Sequence, residues 1–267
     1  MKFVRVTTVI NQKGGVGKTT TAHALAAGLK NHNKRVLCVD TDPQGNLSYT
    51  MQVQPTDKDL YYAMRSANKE SALRVVTEVV QKTPHADIIP SSLYLTAADV
   101  EFTTTGREWI LETLLSAVKD QYDYAIIDSP PTLGILTINA LTACTDVVVP
   151  MGADIYSLQG LSQLHDTILR VKQYCNDNIA ISGLLITRYS SRSIISRETR
   201  DSIIEKATEL QVHVFKTSIR EGIAVKEAQT QQMPLVEYAP KSNPAKDYES
   251  FICEYLGQEL FTNYREA

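Results

Sequence analysis

Residues 9–26 read VINQKGGVGKTTTAHALA, and the fold turns on how this stretch is understood. A standard phosphate-binding loop has a glycine, any four residues, then Gly-Lys-Ser/Thr. Counting back from Gly17-Lys18-Thr19 puts the first glycine at position 12, where this chain has Gln12, and beside it stands an additional lysine, Lys13. The rest of the stretch has the right context. A strand-like apolar run precedes it, an alanine-rich run of helical period follows, and Gly14-Gly15-Val16-Gly17 lies between them. Such a backbone can aim several N–H groups at phosphate oxygens where the helix begins. In this register Lys18 reaches the β- and γ-phosphates and the Thr19 hydroxyl holds Mg²⁺. A plain glycine turn between strand and helix would not require Lys-Thr in register, so nucleotide binding is the expectation.

Outward from this stretch the chain alternates strand-length apolar runs with helix-period segments, the rhythm of a mostly parallel sheet covered on both faces. The expected strands are 4–10, 35–40, 86–90, 124–129, 146–150, 181–187 and 212–217. Residues 19–32 and 157–174 carry apolar side chains three and four apart and are expected helices. Thr56-Asp57-Lys58-Asp59 fits a capping box. Asn243-Pro244 fits an N-cap with proline in the first helical position, opening a helix that buries Tyr248, Phe251, Ile252, Tyr255 and Leu256. The fold class expected is α/β, a doubly wound, mostly parallel sheet with helices on both faces. No repeat, low-complexity tract or linker interrupts residues 1–267, so one domain is expected. The chain starts almost directly on its first strand, which leaves no room for an N-terminal helix-turn-helix module.

Two further acidic sites follow apolar strands and so fall at strand carboxyl ends, where ligands bind in open α/β sheets. Asp128 ends YAIID and has the context of a carboxylate that holds Mg²⁺. Asp40 ends the second strand, and Asp42 begins a loop tightened by Pro43 and Gly45. A single aspartate after a strand is more often a turn or cap residue, but three sites in order and context argue for one ligand.

The bulk properties limit the rest. At 267 residues, 43% hydrophobic and 21% charged, the chain can bury a sizeable core. A formal net charge of −3 excludes a protein that coats nucleic acid with its whole surface and confines any such contact to one face. Cys38, Cys144, Cys175 and Cys253 are widely spaced, and the five histidines show no ligand spacing, so neither a disulfide framework nor a zinc or iron–sulfur site is indicated. Cys38 and Cys144 read as small buried side chains. With no signal peptide or spanning helix visible, a soluble protein of a reducing compartment is expected.

With these residues in place, the chain resembles the ParA family of DNA-partitioning ATPases, part of the MinD/ParA group of P-loop proteins with a deviant loop. Lys13-Gly14-Gly15-Val16-Gly17-Lys18-Thr19-Thr20 matches that loop, and DTDPQGN (40–46) and YAIIDSPPTLG (124–134) match the next two motifs. Fainter similarity runs through 88–102, 147–164 and 236–248, so the match spans essentially the whole chain. The resemblance implies a homodimer in the ATP state, with two nucleotides sandwiched face to face and Lys13 reaching across to the partner's phosphates. A second cation arriving at the transferring phosphoryl group only on dimerisation acts as an arginine finger does. It also implies that Lys13, Lys18 and Asp42 are catalytic, with Asp42 orienting the attacking water. Residues 13–20 would bind the nucleotide, while Thr19 and Asp128 position Mg²⁺ and Asp40 supports its water shell. The cofactors implied are ATP and Mg²⁺. Turnover should be slow until stimulated by a ParB-like centromere-binding protein, and the setting cytoplasmic and nucleoid-associated.

A partition ATPase must also hold double-stranded DNA nonspecifically, through lysines and arginines on phosphates. The densest positive stretch is 187–200, where Arg188, Arg192, Arg197 and Arg200 face only Glu198, and Arg197 and Arg200 share a helical face. A solvated helix start explains the same residues equally well. Lys241 and Lys246 are second candidates. Residues 217–228 depart from the family pattern: Arg220-Glu221-Gly222-Ile223-Ala224 stand where Pro-Arg-Asn-x-Arg is usual, which leaves the adenine-contacting residues open. The rival reading is a MinD-like membrane-associated or protein-positioning ATPase. A tail with Glu254, Glu259 and Glu266 against Arg265 alone repels anionic lipid, so no membrane contact is expected. A nitrogenase iron protein type or an ATP-dependent biotin-pathway ligase is a third class.

Overall fold

The apolar run before the glycine loop forms β1 (Arg5–Val9), and its last four residues are buried, as befits a strand with neighbours on both sides. The structure, a computed structural model, describes residues 5–154 and 156–257, apart from the side chains of Tyr156, Ser157 and Gln159. The other strands are β2 (Val36–Asp40), β3 (Gln81–Lys82), β4 (Asp87–Ile89), β5 (Tyr124–Asp128), β6 (Asp146–Gly152), β7 (Ala180–Tyr189) and β8 (Val214–Arg220). They form one sheet in the order β3-β4-β2-β5-β1-β6-β7-β8. All pairs are parallel except β3 with β4. The expected doubly wound α/β architecture is the one adopted. All seven expected strands are present, although position 4 of the first lies outside the described residues.

Period-two alternation divides the strand residues between two cores. Leu37, Val39, Ala125, Ile127, Val147 and Val149 face one layer, and Val36, Cys38, Ile126 and Val148 face the other. After β1 comes α1 (Lys18–Asn31), then α2 (Asn46–Thr50), α3 (Leu60–Ser66), α4 (Ala72–Val79), α5 (Ala98–Glu101), α6 (Ile110–Ser116) and α7 (Ile135–Ala143). The second half adds α8 (Tyr156–Tyr174), α9 (Ile194–Glu209), α10 (Ile223–Thr230), α11 (Leu235–Tyr238) and α12 (Asn243–Tyr255). Residues 21–29 of α1 are all buried, because the helix lies between the sheet and α12. The two helices approach so closely at Gly28 that a methyl group there would overlap Ile252. Cys38 and Cys144 are buried free thiols, and burial raises the pKa of both.

Two local readings are corrected, and one short strand was not expected. The Thr56 hydroxyl makes a turn to the Lys58 N–H, and α3 begins later, capped by Asp59, whose Oδ1 accepts the Tyr62 N–H at 2.9 Å. α12 is capped by Ser242 rather than Asn243, with Pro244 in its first turn; Tyr248, Phe251, Ile252 and Tyr255 are buried as expected, and Leu256 partly. The two-residue β3 is too short to show an alternating pattern in sequence. The acidic tail argument falls largely on 258–267, outside the described residues. Among the described residues, no helix is long and apolar enough to cross a membrane.

One buried group on α1 gives a prediction. His23 is 5% exposed, has an Nε2 without a hydrogen-bond partner, and meets the His85 ring edge-on. Burial, with a smaller contribution from His85, pushes its pKa from 6.5 down to about 4. A depressed histidine adds stability above its unfolded pKa and loses it as pH falls through the folded one. That difference corresponds to about 3 kcal/mol. Asp40, whose pKa is pushed up to about 6, changes stability in the opposite direction over the same range, so the His23 term must be isolated by difference. The stability of wild type relative to His23→Phe is expected to fall by about 3 kcal/mol from pH 7 to pH 4 in denaturant unfolding. An unchanged difference would mean that His23 accepts its proton in the folded state as readily as in the unfolded one.

Candidate nucleotide site

The loop after β1 is held from three sides before any ligand is considered. Asn11 Nδ2 donates to the Pro150 carbonyl at 2.8 Å, and its Oδ1 accepts the Lys13 N–H at 2.9 Å. Thr187 Oγ1, on β7, donates to the Val16 carbonyl at 2.8 Å. Gly15 and Gly17 have φ of 74° and 88°, left-handed values that favour glycine. Gly17 is the N-cap of α1 and supplies no side-chain cap, so the first N–H groups of the helix remain for an anion. Lys18 is 8% exposed, and its Nζ donates to the Lys13 carbonyl at 3.0 Å. Burial lowers its pKa, against the opposing pull of Asp128 and Asp42.

Register brings the acids together. Asp40 and Asp128 are paired across β2 and β5 at the strands' carboxyl ends, and Val9 pairs with Asp128 from the other side. Both oxygens of Asp40 are engaged: Oδ2 accepts Ser48 N–H at 2.8 Å and Ser48 Oγ at 2.7 Å, and Oδ1 accepts the Asp42 N–H at 3.2 Å. Neither oxygen of Asp128 has a hydrogen bond of ordinary geometry, although the residue is wholly buried. Burial and the Asp40 charge push its pKa well above the usual carboxylate range, and the Thr19 hydroxyl and Lys18 only partly oppose them. An orphaned buried carboxylate beside a second one and a threonine hydroxyl is a site short of positive charge. These residues fit a divalent cation, with Asp128 and Thr19 as the available oxygens. Asp42 is 8% exposed; its Oδ1 accepts the Gln44 N–H at 3.0 Å and its carbonyl accepts Ser91 Oγ at 2.6 Å.

A cleft of about 1020 Å³ opens over the loop and is lined by Gly14, Gly15, Gly17, Lys18, Thr19, Thr20 and Asp42. Its far wall is Ile219–Ile223 with Val225, Lys226 and Gln229, so the segment that departs from the family pattern lies on the same cleft. Arg220 is fixed there by Asp247 of α12, its Nε and Nη2 donating to the two carboxylate oxygens at 2.8 and 2.6 Å. Gln229 Nε2 donates to Thr20 Oγ1 at 2.9 Å, and the Tyr248 hydroxyl lies 3.1 Å from Thr21 Oγ1. Lys13 makes an ion pair with Asp154, just beyond β6, and both side chains are partly exposed. Sequence reasoning missed Asp154, Asp247, Ser91 and Gln229. Only Asp154 and Ser91 carried a signal, as polar residues just past strand ends.

Two of the basic candidates are paired with acidic side chains. Arg188 lines the cleft, where Glu221 pairs with it at 3.4 Å. Arg200 pairs with Asp201 at 3.7 Å. The expectation that Glu198 alone opposes this stretch is therefore corrected: Glu221 lies 33 residues from Arg188, beyond the reach of local reading. Arg192, Arg197, Lys241 and Lys246 are exposed, and Arg197 Nη1 also donates to the Ser191 carbonyl at 3.0 Å.

A glycine loop opening a helix, a buried lysine and carboxylates at adjacent strand ends define a P-loop nucleotide-binding protein. A family model described as an AAA domain matches residues 4–181. The chain is 37% identical over 249 residues to the sporulation initiation inhibitor protein Soj of Bacillus subtilis, covering 91% of this chain and 95% of that protein. It is 36% identical over 259 residues to the chromosome partitioning protein ParA of Myxococcus xanthus, covering 96% and 87%. Among solved structures, cobyrinic acid a,c-diamide synthase from Mycobacterium smegmatis with bound ADP and magnesium superposes with a TM-score of 0.79 at 31% identity, covering 95% of this chain and 94% of that one. The chain belongs to the ParA family of partitioning and positioning P-loop ATPases.

Proposed function

We propose that this chain is an ATP-dependent dimeric switch that binds DNA nonspecifically. Hydrolysis of ATP resets it, and the cycle segregates or positions plasmid, chromosome or mobile-element DNA. The observation that carries the reading is the lysine pair: Lys18 is buried inside the phosphate cradle, whereas Lys13 is held at its rim by Asp154. ATP binds with its phosphates against the N–H groups of residues 14–20 and Lys18 Nζ. The far wall at Ile219–Ile223 receives the base. Thr19 and Asp128 would hold Mg²⁺, which would offset phosphate charge. Asp40, whose two oxygens also accept from protein donors, would support the water shell of that ion and anchors the 41–48 loop.

Phosphoryl transfer depends mainly on positioning and charge stabilisation. Lys13 leaves Asp154 and crosses to the phosphates of a second copy, so each site is completed only in the ATP dimer. Asp42 orients the attacking water from a loop pinned by Ser91. A catalyst assembled in this way turns over slowly until a ParB-like centromere-binding protein stimulates it. The nucleoid of the cytoplasm is the setting that suits such a cycle. One sheet with its helices spans the described residues, which supports residues 1–267 as a single P-loop unit. The exposed Arg192, Arg197, Lys241 and Lys246 are candidates for phosphate contacts, with Arg188 and Arg200 available once their acidic partners are displaced. The reading is tested by binding to a nonspecific duplex, which is expected in Mg-ATP and absent in Mg-ADP. Equal binding in the two would remove the nucleotide gate, and liposome binding in its place would favour a membrane-associated relative.

A further inference from the structure

Among the described residues one cluster unites three different metal-ligating side chains outside the nucleotide cleft: His32, Glu249 and Cys253. Glu249 and Cys253 are four apart on α12, so both project from one face of that helix. His32 is the residue at which α1 ends, and its N–H donates to the Gly28 and Leu29 carbonyls at 3.0 and 3.1 Å. The close packing of Gly28 against Ile252 holds the two helices in this relation. His32 Nε2 lies 3.5 Å from Glu249 Oε1, and the three donor atoms all lie within 4.8 Å of one another.

We propose that His32, Glu249 and Cys253 form a binding site for a zinc-class divalent ion that clips the end of α1 to α12. The donor set of imidazole nitrogen, carboxylate oxygen and thiolate sulfur is one that zinc accepts, and three protein ligands leave the fourth tetrahedral position for water. Bond lengths of about 2.0–2.3 Å bring such donors to within about 3–4 Å of one another, so the cluster closes by side-chain rotation with both helices in place. His32 and Glu249 are partly exposed while Cys253 is buried. An ion therefore enters from solvent and meets the sulfur last, and the thiol proton is released to water as the bond forms. The same helices carry groups of the nucleotide cleft: α12 supplies Tyr248 against Thr21, and Asp247 against Arg220. Occupancy thus stiffens the contact between the phosphate-loop helix and the helix that holds the far wall. The proposal does not depend on the DNA reading.

The test is titration of chelator-treated full-length protein with Co²⁺ in the presence of excess Mg-ADP, which occupies the nucleotide site. The expected result is a thiolate-to-cobalt charge-transfer band and tetrahedral visible bands at one equivalent, both displaced by Zn²⁺. Cys253→Ser should lose the charge-transfer band, His32→Ala should weaken binding at least tenfold, and Cys175→Ser should change nothing. Zn²⁺ should raise the unfolding temperature of wild type and of Cys175→Ser but not that of His32→Ala. The absence of a thiolate band in wild type would overturn the site, as would a band that survives Cys253→Ser.

Discussion

Lys13→Ala is expected to bind ATP as a monomer with close to wild-type affinity and to lose ATP-driven dimerisation and hydrolysis. The geometry separates the two effects. Inside its own phosphate loop Lys13 bonds through main chain, its carbonyl accepting from Lys18 Nζ at 3.0 Å and its N–H donating to Asn11 Oδ1 at 2.9 Å, and alanine keeps both. The side chain points instead to Asp154, and both groups of that pair are partly exposed. The cation lost is the one proposed to reach the partner's transferring phosphoryl group. Groups in that role are worth about 10³- to 10⁵-fold in rate, so stimulated turnover is expected to fall on the order of 10³-fold. Nucleotide affinity is read by equilibrium binding, mass by sedimentation and turnover by phosphate release. Wild-type ATPase activity in Lys13→Ala would end the cross-subunit role.

Asp42→Ala is expected to do the reverse, holding the ATP dimer together by failing to hydrolyse. Most of the hydrogen bonds that shape the Asp42 loop are made by main chain: the Asp42 carbonyl accepts Ser91 Oγ at 2.6 Å and the Gly45 N–H at 2.9 Å. Its N–H donates to Asp40 at 3.2 Å. These survive in the alanine variant, which loses the carboxylate and its 3.0 Å bond from Gln44. Loss of a water-orienting carboxylate costs about 10²- to 10⁴-fold in rate, whereas the hydrogen bonds of the phosphate loop do not involve the Asp42 side chain. A dimer that persists in ATP, with little phosphate released, is the expected outcome. A variant that cycles at the wild-type rate would take Asp42 out of the reaction.

Much of this was legible in the sequence because it is local. The phosphate loop depends on glycines, Lys18 and Thr19 within one strand–turn–helix unit, and Asp40 and Asp128 are each marked by the apolar strand they end, with Asp42 two residues beyond the first. Strand alternation and apolar spacing are likewise short-range, which is why the seven main strands and the helices α1, α8 and α12 were readable. What the sequence hid is non-local. Arg220 and Asp247 stand 27 positions apart with α10 and α11 between them, and Gln229 meets Thr20 across 209 positions. Glu221 neutralises Arg188 through the pairing of β7 with β8, so a stretch that looks basic in the chain is partly paired in space. His32 stands far from Glu249 and Cys253 in the chain, and only the packing of α1 on α12 brings them within reach. The helix starts failed for a smaller reason. Thr56 and Asp59 both can cap a helix, as can Ser242 and Asn243, and backbone geometry rather than residue type decides between nearby candidates.

The measurement that bears most directly on the account is binding of the wild-type chain to a nonspecific DNA duplex at several salt concentrations, in Mg-ATP and in Mg-ADP. The account predicts binding in Mg-ATP alone, indifferent to sequence and weakening steeply with salt as phosphate contacts release counterions. Binding of equal strength in both nucleotides, or in neither, would contradict it.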